Sequence, residues 1–104
     1  DNNYLSEFDR NLFKYLVNLR TLSLTNNALE IIKNDSFFNL RNLRKLSLQN
    51  NRILELELNA FRGLRSLTSL RLDKNQIKML KPYQFEDLNK LTSIRLSVNN
   101  IDII

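Results

Sequence analysis

Seven side chains in this sequence have the types and positions expected of a ligand-binding surface. They are polar or charged and recur at similar places in successive copies of a repeated pattern: Arg44, Lys45, Gln49, Arg71, Asp73, Lys74 and Arg95. Most are cationic and only one is acidic, so together they would steer an acidic ligand towards the surface. The sequence therefore predicts a polar, mostly basic contact surface rather than a reaction centre.

Catalytic chemistry lacks the residues that it needs. The 104-residue chain contains neither histidine nor cysteine, which removes the commonest general base and two common metal ligands. Carboxylate pairs such as Glu55 with Glu57, and Glu86 with Asp87, fall in segments that we expect to be solvated. The only glycine is Gly63, so there is no phosphate-binding loop. We predict no catalytic residue, no bound metal and no cofactor, and a protein that is not an enzyme.

A repeat of 24 residues determines where those side chains lie. Its copies align without a gap and share the pattern L-x-x-L-x-x-L-x-L-x-x-N-x-L/I, which is typical of a leucine-rich repeat. Such a unit buries its apolar face only by stacking on its neighbours. We predict a single leucine-rich-repeat segment over residues 1–104 with its terminal caps missing. It divides into a partial repeat, three full repeats and a second partial repeat: 1–15, 16–39, 40–63, 64–87 and 88–104.

Leucines alternate with polar residues in the first half of each copy, and this period of two predicts short strands. The predicted strands centre on Thr21–Thr25, Lys45–Gln49, Ser69–Asp73 and Ser93–Ser97. Stacked about 4.8 Å apart, they would form a parallel sheet whose outward side chains line a concave face. The convex segments lack a helical period, so we expect turns, extended chain and short 3₁₀ pieces there. The predicted fold is a leucine-rich-repeat solenoid of the α/β horseshoe class, with little or no α-helix.

Two further columns of the alignment have a structural interpretation. An asparagine recurs at the sharp turn after each strand, where its side chain can satisfy backbone groups of its own coil and of the neighbouring coil. The predicted asparagine ladder comprises Asn3, Asn27, Asn51, Asn75 and Asn99. A phenylalanine recurs in the convex segments, where a large ring would fill the wider side of each coil. This column comprises Phe13, Phe37, Phe61 and Phe85.

The net charge of +5, from 16 basic and 11 acidic residues, leaves the class of ligand open. Asp73 is the only acidic residue among the outward positions and their immediate flanks. A polyanion such as glycosaminoglycan or nucleic acid is therefore an alternative ligand, which a steep salt dependence would reveal. Spaced charges also keep an exposed sheet soluble. On a third interpretation these copies are a spacer that holds binding repeats elsewhere at the right curvature.

Three features bear on the protein's surroundings. Asn34 opens the tripeptide Asn34-Asp35-Ser36, a candidate N-glycosylation site if the protein is secreted. No apolar run approaches the roughly 18 residues of a membrane span, although the parent protein could be membrane-anchored. Both ends carry apolar columns that polar caps normally cover, so the isolated piece is expected to be marginally stable or to self-associate.

Three stretches carry a resemblance that goes further than the repeat pattern. They are LQNNRI at Leu48–Ile53, AFRGLRSLTSL at Ala60–Leu70 and LKPYQFEDL at Leu80–Leu88. These stretches resemble the ectodomain of the relaxin-family peptide receptors, which are leucine-rich-repeat G-protein-coupled receptors. The resemblance implies an extracellular receptor that transduces a peptide-hormone signal. In that family acidic concave residues hold arginines of a basic hormone, and here only Asp73 matches that role.

The sequence therefore predicts non-enzymatic recognition of a protein or peptide by the concave face of an extracellular or cell-surface ectodomain. Similar strings occur in Toll-type receptors and Slit-type guidance proteins, so an innate-immune, adhesion or guidance protein is the alternative within the same fold.

Overall fold

The structure is a computed structural model, and it describes Phe13 and residues 15–99. Six short strands follow one another along the chain: β1 (Thr21–Ser23), β2 (Ile31–Ile32), β3 (Lys45–Ser47), β4 (Glu55–Leu56), β5 (Ser69–Arg71) and β6 (Ser93–Arg95). Four form a parallel sheet in the order β1-β3-β5-β6, and the other two pair in parallel as β2-β4. No α-helix occurs in this part of the chain, and the predicted leucine-rich-repeat solenoid is confirmed.

Strand pairing in the larger sheet joins residues that are 24 positions apart. Leu22 pairs with Leu46, Leu46 with Leu70, and Leu70 with Ile94. Equivalent columns of the repeat therefore face one another, and the central leucines of the row, Leu46 and Leu70, are buried. Full burial of one such side chain contributes about 1.5–3 kcal/mol, so the stack of coils supplies the core. The boundaries of the partial repeats extend outside the described residues and stay predictions.

The four strands of the larger sheet are three residues long, whereas the sequence predicted five. Backbone pairing continues past the end of β1, because the N–H of Leu24 donates to the carbonyl of Ser47 at 2.9 Å. The chain then turns through a residue with positive φ, between 56° and 59°, in each coil: Asn26, Asn50, Lys74 and Val98. This left-handed turn, which asparagine tolerates best, bends the chain away from the sheet and ends each strand early.

The convex side consists of turns and short extended pieces, as predicted. The N–H of Ser36 donates to the carbonyl of Lys33, and the N–H of Leu40 donates to the carbonyl of Phe37, which is the tight three-residue spacing of turns. The phenylalanine column forms a continuous stack inside these turns. Its ring centroids are 6.0, 6.3 and 5.8 Å apart from Phe13 to Phe85. At these separations offset-stacked rings attract one another in addition to their burial.

Asn51 shows how the asparagine column connects the coils. Its Nδ2 donates to the carbonyl of Leu48 in its own coil and to that of Leu24 in the preceding coil, both at 2.9 Å. Its Oδ1 accepts the buried N–H of Leu29 at 3.2 Å. One side chain thus satisfies three backbone groups on two coils.

The same three kinds of hydrogen bond recur in each of the next two coils. Asn75 and Asn99 donate to their own and the preceding coil, and they accept the N–H groups of Ile53 and Ile77 at 3.1 and 3.0 Å. Asn27 donates to the carbonyl of Leu24. Asn3, the first residue of the predicted ladder, lies outside the described residues.

Replacing Asn51 or Asn75 with alanine should destabilise the fold more than replacing Asn59. Asn51→Ala leaves the buried N–H of Leu29 without an acceptor and removes two donors, so we expect a loss of about 2–4 kcal/mol in the free energy of unfolding. Asn59 is exposed, and its hydrogen bonds to the preceding coil come from its backbone. Asn59→Ala should change stability by about 0.5 kcal/mol or less. Urea unfolding followed by circular dichroism measures all three, and equal losses would contradict the ladder.

Candidate binding surface

Three of the predicted cations lie together on the concave sheet. Lys45 of β3 pairs with Ser69 of β5, and Arg71 of β5 pairs with Arg95 of β6. Lys45 and Arg95 are exposed and Arg71 is partly exposed. Paired residues on parallel strands are about 4.8 Å apart, so Arg71 and Arg95 form neighbouring positive charges with Lys45 one strand away. The concave face therefore carries three cationic side chains on three successive strands, which we call the concave cluster.

The sequence predicted that Asp73 projects outward from this face, but the residue is only 4% exposed. The guanidinium of Arg71 binds it through Nε to Oδ1 at 3.2 Å and Nη2 to Oδ2 at 2.9 Å. The two side chains meet because residues two apart on an extended chain point to the same side. The only acidic residue of the described concave strands and their ends is thus already paired.

The environment of Asp73 keeps its carboxylate ionised. Burial alone would raise the pKa of Asp73, but hydrogen bonds from Arg71 and from its own backbone oppose this effect. The positive charges of Arg71 and Arg95 act in the same direction, and the pKa of Asp73 falls below its ordinary value of 3.8. The pair therefore persists at neutral pH as an ion pair.

The other three predicted contact residues lie at the margins of the sheet. Arg44 is exposed and directly precedes β3. Gln49 follows β3, and its Oε1 is buried with no hydrogen-bond donor among the described residues. Lys74 is exposed but lies in the left-handed turn, with a φ of 59°. The structure thus places Lys45, Arg71, Asp73 and Arg95 on three neighbouring strands and their ends, with Arg44, Gln49 and Lys74 at the margins.

Positive charge is concentrated on one side of each coil. The segments that lead into and form the concave strands (16–25, 40–49, 64–73 and 88–97) contain eight basic residues and only one acidic residue, Asp73. The convex segments (26–39, 50–63 and 74–87) contain six of each sign. On the convex side, Arg62 binds Asp35 and Lys81 lies 3.6 Å from Glu55. The excess charge of the described chain therefore lies on the concave face and on the surface that leads into it.

That leading surface, which we call the flank, contains the predicted contact residue Arg44 together with Arg41 and Arg65, which the sequence analysis did not identify. A polar groove of about 310 Å³ is lined there by Asn18, Arg20, Asn42, Arg44 and Ser66. A second groove of about 230 Å³ includes Arg41 and Arg65 in its lining. The signal was present in the sequence, since an arginine stands beside the first or second leucine in each of the three full repeats.

Asn34 is exposed on the convex side, away from the concave cluster. Its Oδ1 accepts the backbone N–H of Asn59 at 2.8 Å, and its own N–H donates to Glu57 Oε1 at 2.7 Å. Ser36, the third residue of the tripeptide, is buried. Glycosylation at Asn34 stays a prediction.

No group of three or more acidic, histidine or cysteine side chains is arranged to hold a metal ion in the part of the chain that the structure describes. The same residues contain no helix of the length and apolarity that a membrane crossing requires.

The repeat pattern and the stacked parallel strands define a class of protein. The leucine-rich repeat family model matches residues 1–53 and 41–101, which together cover nearly the whole sequence. The chain belongs to the leucine-rich repeat family. No curated protein sequence matches it significantly.

Solved structures of similar shape include three leucine-rich-repeat chains. Toll in the glycosylated Drosophila Toll–Spatzle complex is 30% identical with a TM-score of 0.91, covering 100% of this chain and 15% of Toll. The leucine-rich repeat domain of APL1B is 23% identical with a TM-score of 0.91, covering 97% of this chain and 30% of that one. A chain of the Drosophila melanogaster SNF/U2A′ complex is 29% identical with a TM-score of 0.75, and the match covers 94% of this chain and 55% of that one. The present chain spans about half or less of each.

The Arg71–Asp73 pair makes a pH-dependent contribution to stability. Because the pKa of Asp73 is lowered in the folded state, that contribution is present above the ordinary value of 3.8 and is lost as pH falls through the lower folded value. Asp73→Asn should therefore lower the urea midpoint at pH 7, and its difference from the unmodified protein should shrink below about pH 4. Glu86→Gln, at an exposed position, is the control. A midpoint difference for Asp73→Asn that is unchanged from pH 7 to about pH 2.5 would contradict the assignment.

Proposed function

We propose that this chain is part of an extracellular or cell-surface protein that recognises a protein or peptide ligand, without catalysis, through its concave sheet. The observation that carries the proposal is the basic cluster of Lys45, Arg71 and Arg95 on neighbouring strands, surrounded by small polar side chains such as Ser69 and Ser93. Small neighbours leave Lys45 and Arg95 accessible, while Arg71 between them is paired with Asp73. Solenoids commonly bind ligands on such extended concave surfaces.

The similarity to Toll supports a protein as the ligand. That structure is the Toll–Spatzle complex, which is a molecular hub in Drosophila development and innate immunity. Its Toll chain has the same fold over the whole of the present chain. An innate-immune, adhesion or guidance role is therefore the finer proposal that this similarity favours. The present chain corresponds to a small part of such a receptor, so its ligand need not be the same.

A relaxin-type hormone receptor is the other finer proposal, and it meets a specific obstacle. Recognition of a basic hormone would need a free carboxylate, and Asp73 already binds Arg71 through both of its oxygens. Such a hormone would have to displace Arg71 or use acidic residues on other repeats. A polyanion is a further candidate, favoured by the excess of positive charge on this side of the coils.

Site-specific crosslinking tests whether the concave face contacts a protein. A photoreactive benzoylphenylalanine at Ser69, in the full-length parent protein on cells, should yield a discrete adduct with a ligand protein. The same group at Lys78, which is exposed on the convex side, should not. Identical adducts from both positions, or no protein adduct from Ser69, would contradict concave-face recognition.

Two probes separate the finer proposals. A relaxin-like basic peptide and a sulfated oligosaccharide can each be titrated against the unmodified chain, Asp73→Asn, and the double variant Lys45→Gln/Arg95→Gln. Peptide binding that Asp73→Asn abolishes would support the relaxin-type receptor, and its absence would remove that proposal from these repeats. Oligosaccharide binding that falls steeply with salt and is lost in the double variant would instead support a polyanion. The double variant Arg52→Gln/Lys78→Gln removes the same charge from the convex side and is the control.

A further inference from the structure

Two pairs of arginines stack side by side on the flank. Arg20 and Arg44 occupy equivalent positions in successive coils, and the N–H of Arg44 donates to the carbonyl of Arg20 at 2.8 Å. Arg41 and Arg65 are likewise 24 residues apart and line one groove together. All four side chains are exposed. We call Arg20, Arg41, Arg44 and Arg65 the arginine quartet.

No acidic side chain neutralises the arginine quartet within the described residues. The salt bridges there join Arg62 to Asp35, Arg71 to Asp73 and Lys81 to Glu55, and none includes a quartet member. Like charges held side by side repel one another. The part of the chain that the structure describes thus holds two pairs of positive charges without an acidic partner there, whereas its convex segments carry equal numbers of basic and acidic residues.

The surroundings of the first pair are suited to anionic groups. Arg20 and Arg44 share their groove with the polar side chains of Asn18, Asn42 and Ser66. Asn42 is held in place because its Nδ2 donates to the carbonyl of Val17 at 2.9 Å. A guanidinium presents a planar fork of donors that binds a carboxylate through two parallel hydrogen bonds. The groove can therefore receive carboxylates between fixed polar walls.

The short length of the quartet favours a peptide over a long polyanion. Each row contains only two arginines, because the positions that follow one coil later are Thr68 and Asn89. The arginine quartet therefore extends across only three coils, about 10 Å in the stacking direction. A polysaccharide or nucleic acid gains its affinity from many successive contacts along a continuous track. Two to four carboxylates of a short segment match the quartet better.

We propose that the arginine quartet on the flank binds an acidic peptide segment of a partner protein, rich in aspartate and glutamate. Arg20 and Arg44 hold carboxylates in the polar groove, and Arg41 and Arg65 hold the continuation of the segment. The quartet shares no residue with the concave cluster of Lys45, Arg71 and Arg95, and its role does not depend on that cluster binding a ligand.

A labelled hexaglutamate peptide is the probe, and its affinity for the intact 104-residue chain is measured by fluorescence anisotropy at fixed salt. Three double variants each remove two positive charges: Arg20→Gln/Arg44→Gln on the flank, Lys45→Gln/Arg95→Gln on the concave sheet, and Arg52→Gln/Lys78→Gln on the convex side. The flank variant should weaken binding roughly tenfold and each of the others less than about twofold. Equal weakening by all three would mean nonspecific charge attraction and would overturn the proposal, as would no measurable binding to the unmodified chain.

Two further measurements make the assignment specific. Arg20→Lys/Arg44→Lys keeps the charge but removes the fork, so it should lose about half of the affinity or more, whereas full retention would overturn the paired hydrogen bonding. A sulfated dodecasaccharide tested with the same variants should be much less sensitive to the flank variant than hexaglutamate. If the flank variant weakened both ligands equally and the dodecasaccharide displaced the peptide, the ligand of the quartet would be a polyanion and not an acidic segment. Urea midpoints of every variant establish that a loss of binding is not a loss of folding.

Discussion

Hydrogen bonds between the asparagine side chains of one coil and the backbone of the preceding coil are the constraint on which the rest of the structure depends. The chain turns sharply after each strand and leaves N–H and carbonyl groups facing inwards, where no water can satisfy them. Asn51 and Asn75 supply the missing partners at 2.9–3.2 Å. Because each side chain contacts two coils, the hydrogen bonds that complete a turn also fix its register against its neighbour.

The fixed register converts a choice of residue at one position of the repeat into a row on the surface. Buried leucines become an apolar row and phenylalanines a stack, since the same column recurs at the same height in each coil. Exposed arginines in turn become adjacent pairs, such as Arg20 with Arg44. A solenoid cannot spread such charges by local rearrangement, because its backbone positions them. The excess of positive charge on the concave face and flank is therefore a property of the fold as much as of the composition.

Much of the fold follows from the period, because a column of residues 24 apart has only one way to bury itself. Leu46 and Leu70, Phe37 and Phe61, and the asparagines from Asn27 to Asn99 all lie where the repeat predicts. The exact length of the strands does not follow, since it depends on the left-handed turn at Asn26 and its equivalents, and residues as different as Lys74 and Val98 also adopt that turn.

The surface was less predictable than the core. Alternation along a strand indicates which side chains point outwards, but not that Arg71 folds back onto Asp73 and removes its carboxylate from the exposed surface. The alternation along the strands also gave no indication of Arg41 and Arg65, because residues on the flank follow no period of two. Their arrangement becomes evident only when successive coils are stacked in register.

Hydrogen exchange of three backbone amides tests the central claim, that the asparagine ladder fixes the register of the coils. The N–H groups of Leu29, Ile53 and Ile77 donate to the Oδ1 atoms of Asn51, Asn75 and Asn99. The account predicts that all three exchange at similar rates, and orders of magnitude more slowly than the N–H of Glu86 in an exposed convex turn, because they are released only when the stack opens. Exchange of these three amides as fast as that of Glu86 would contradict it.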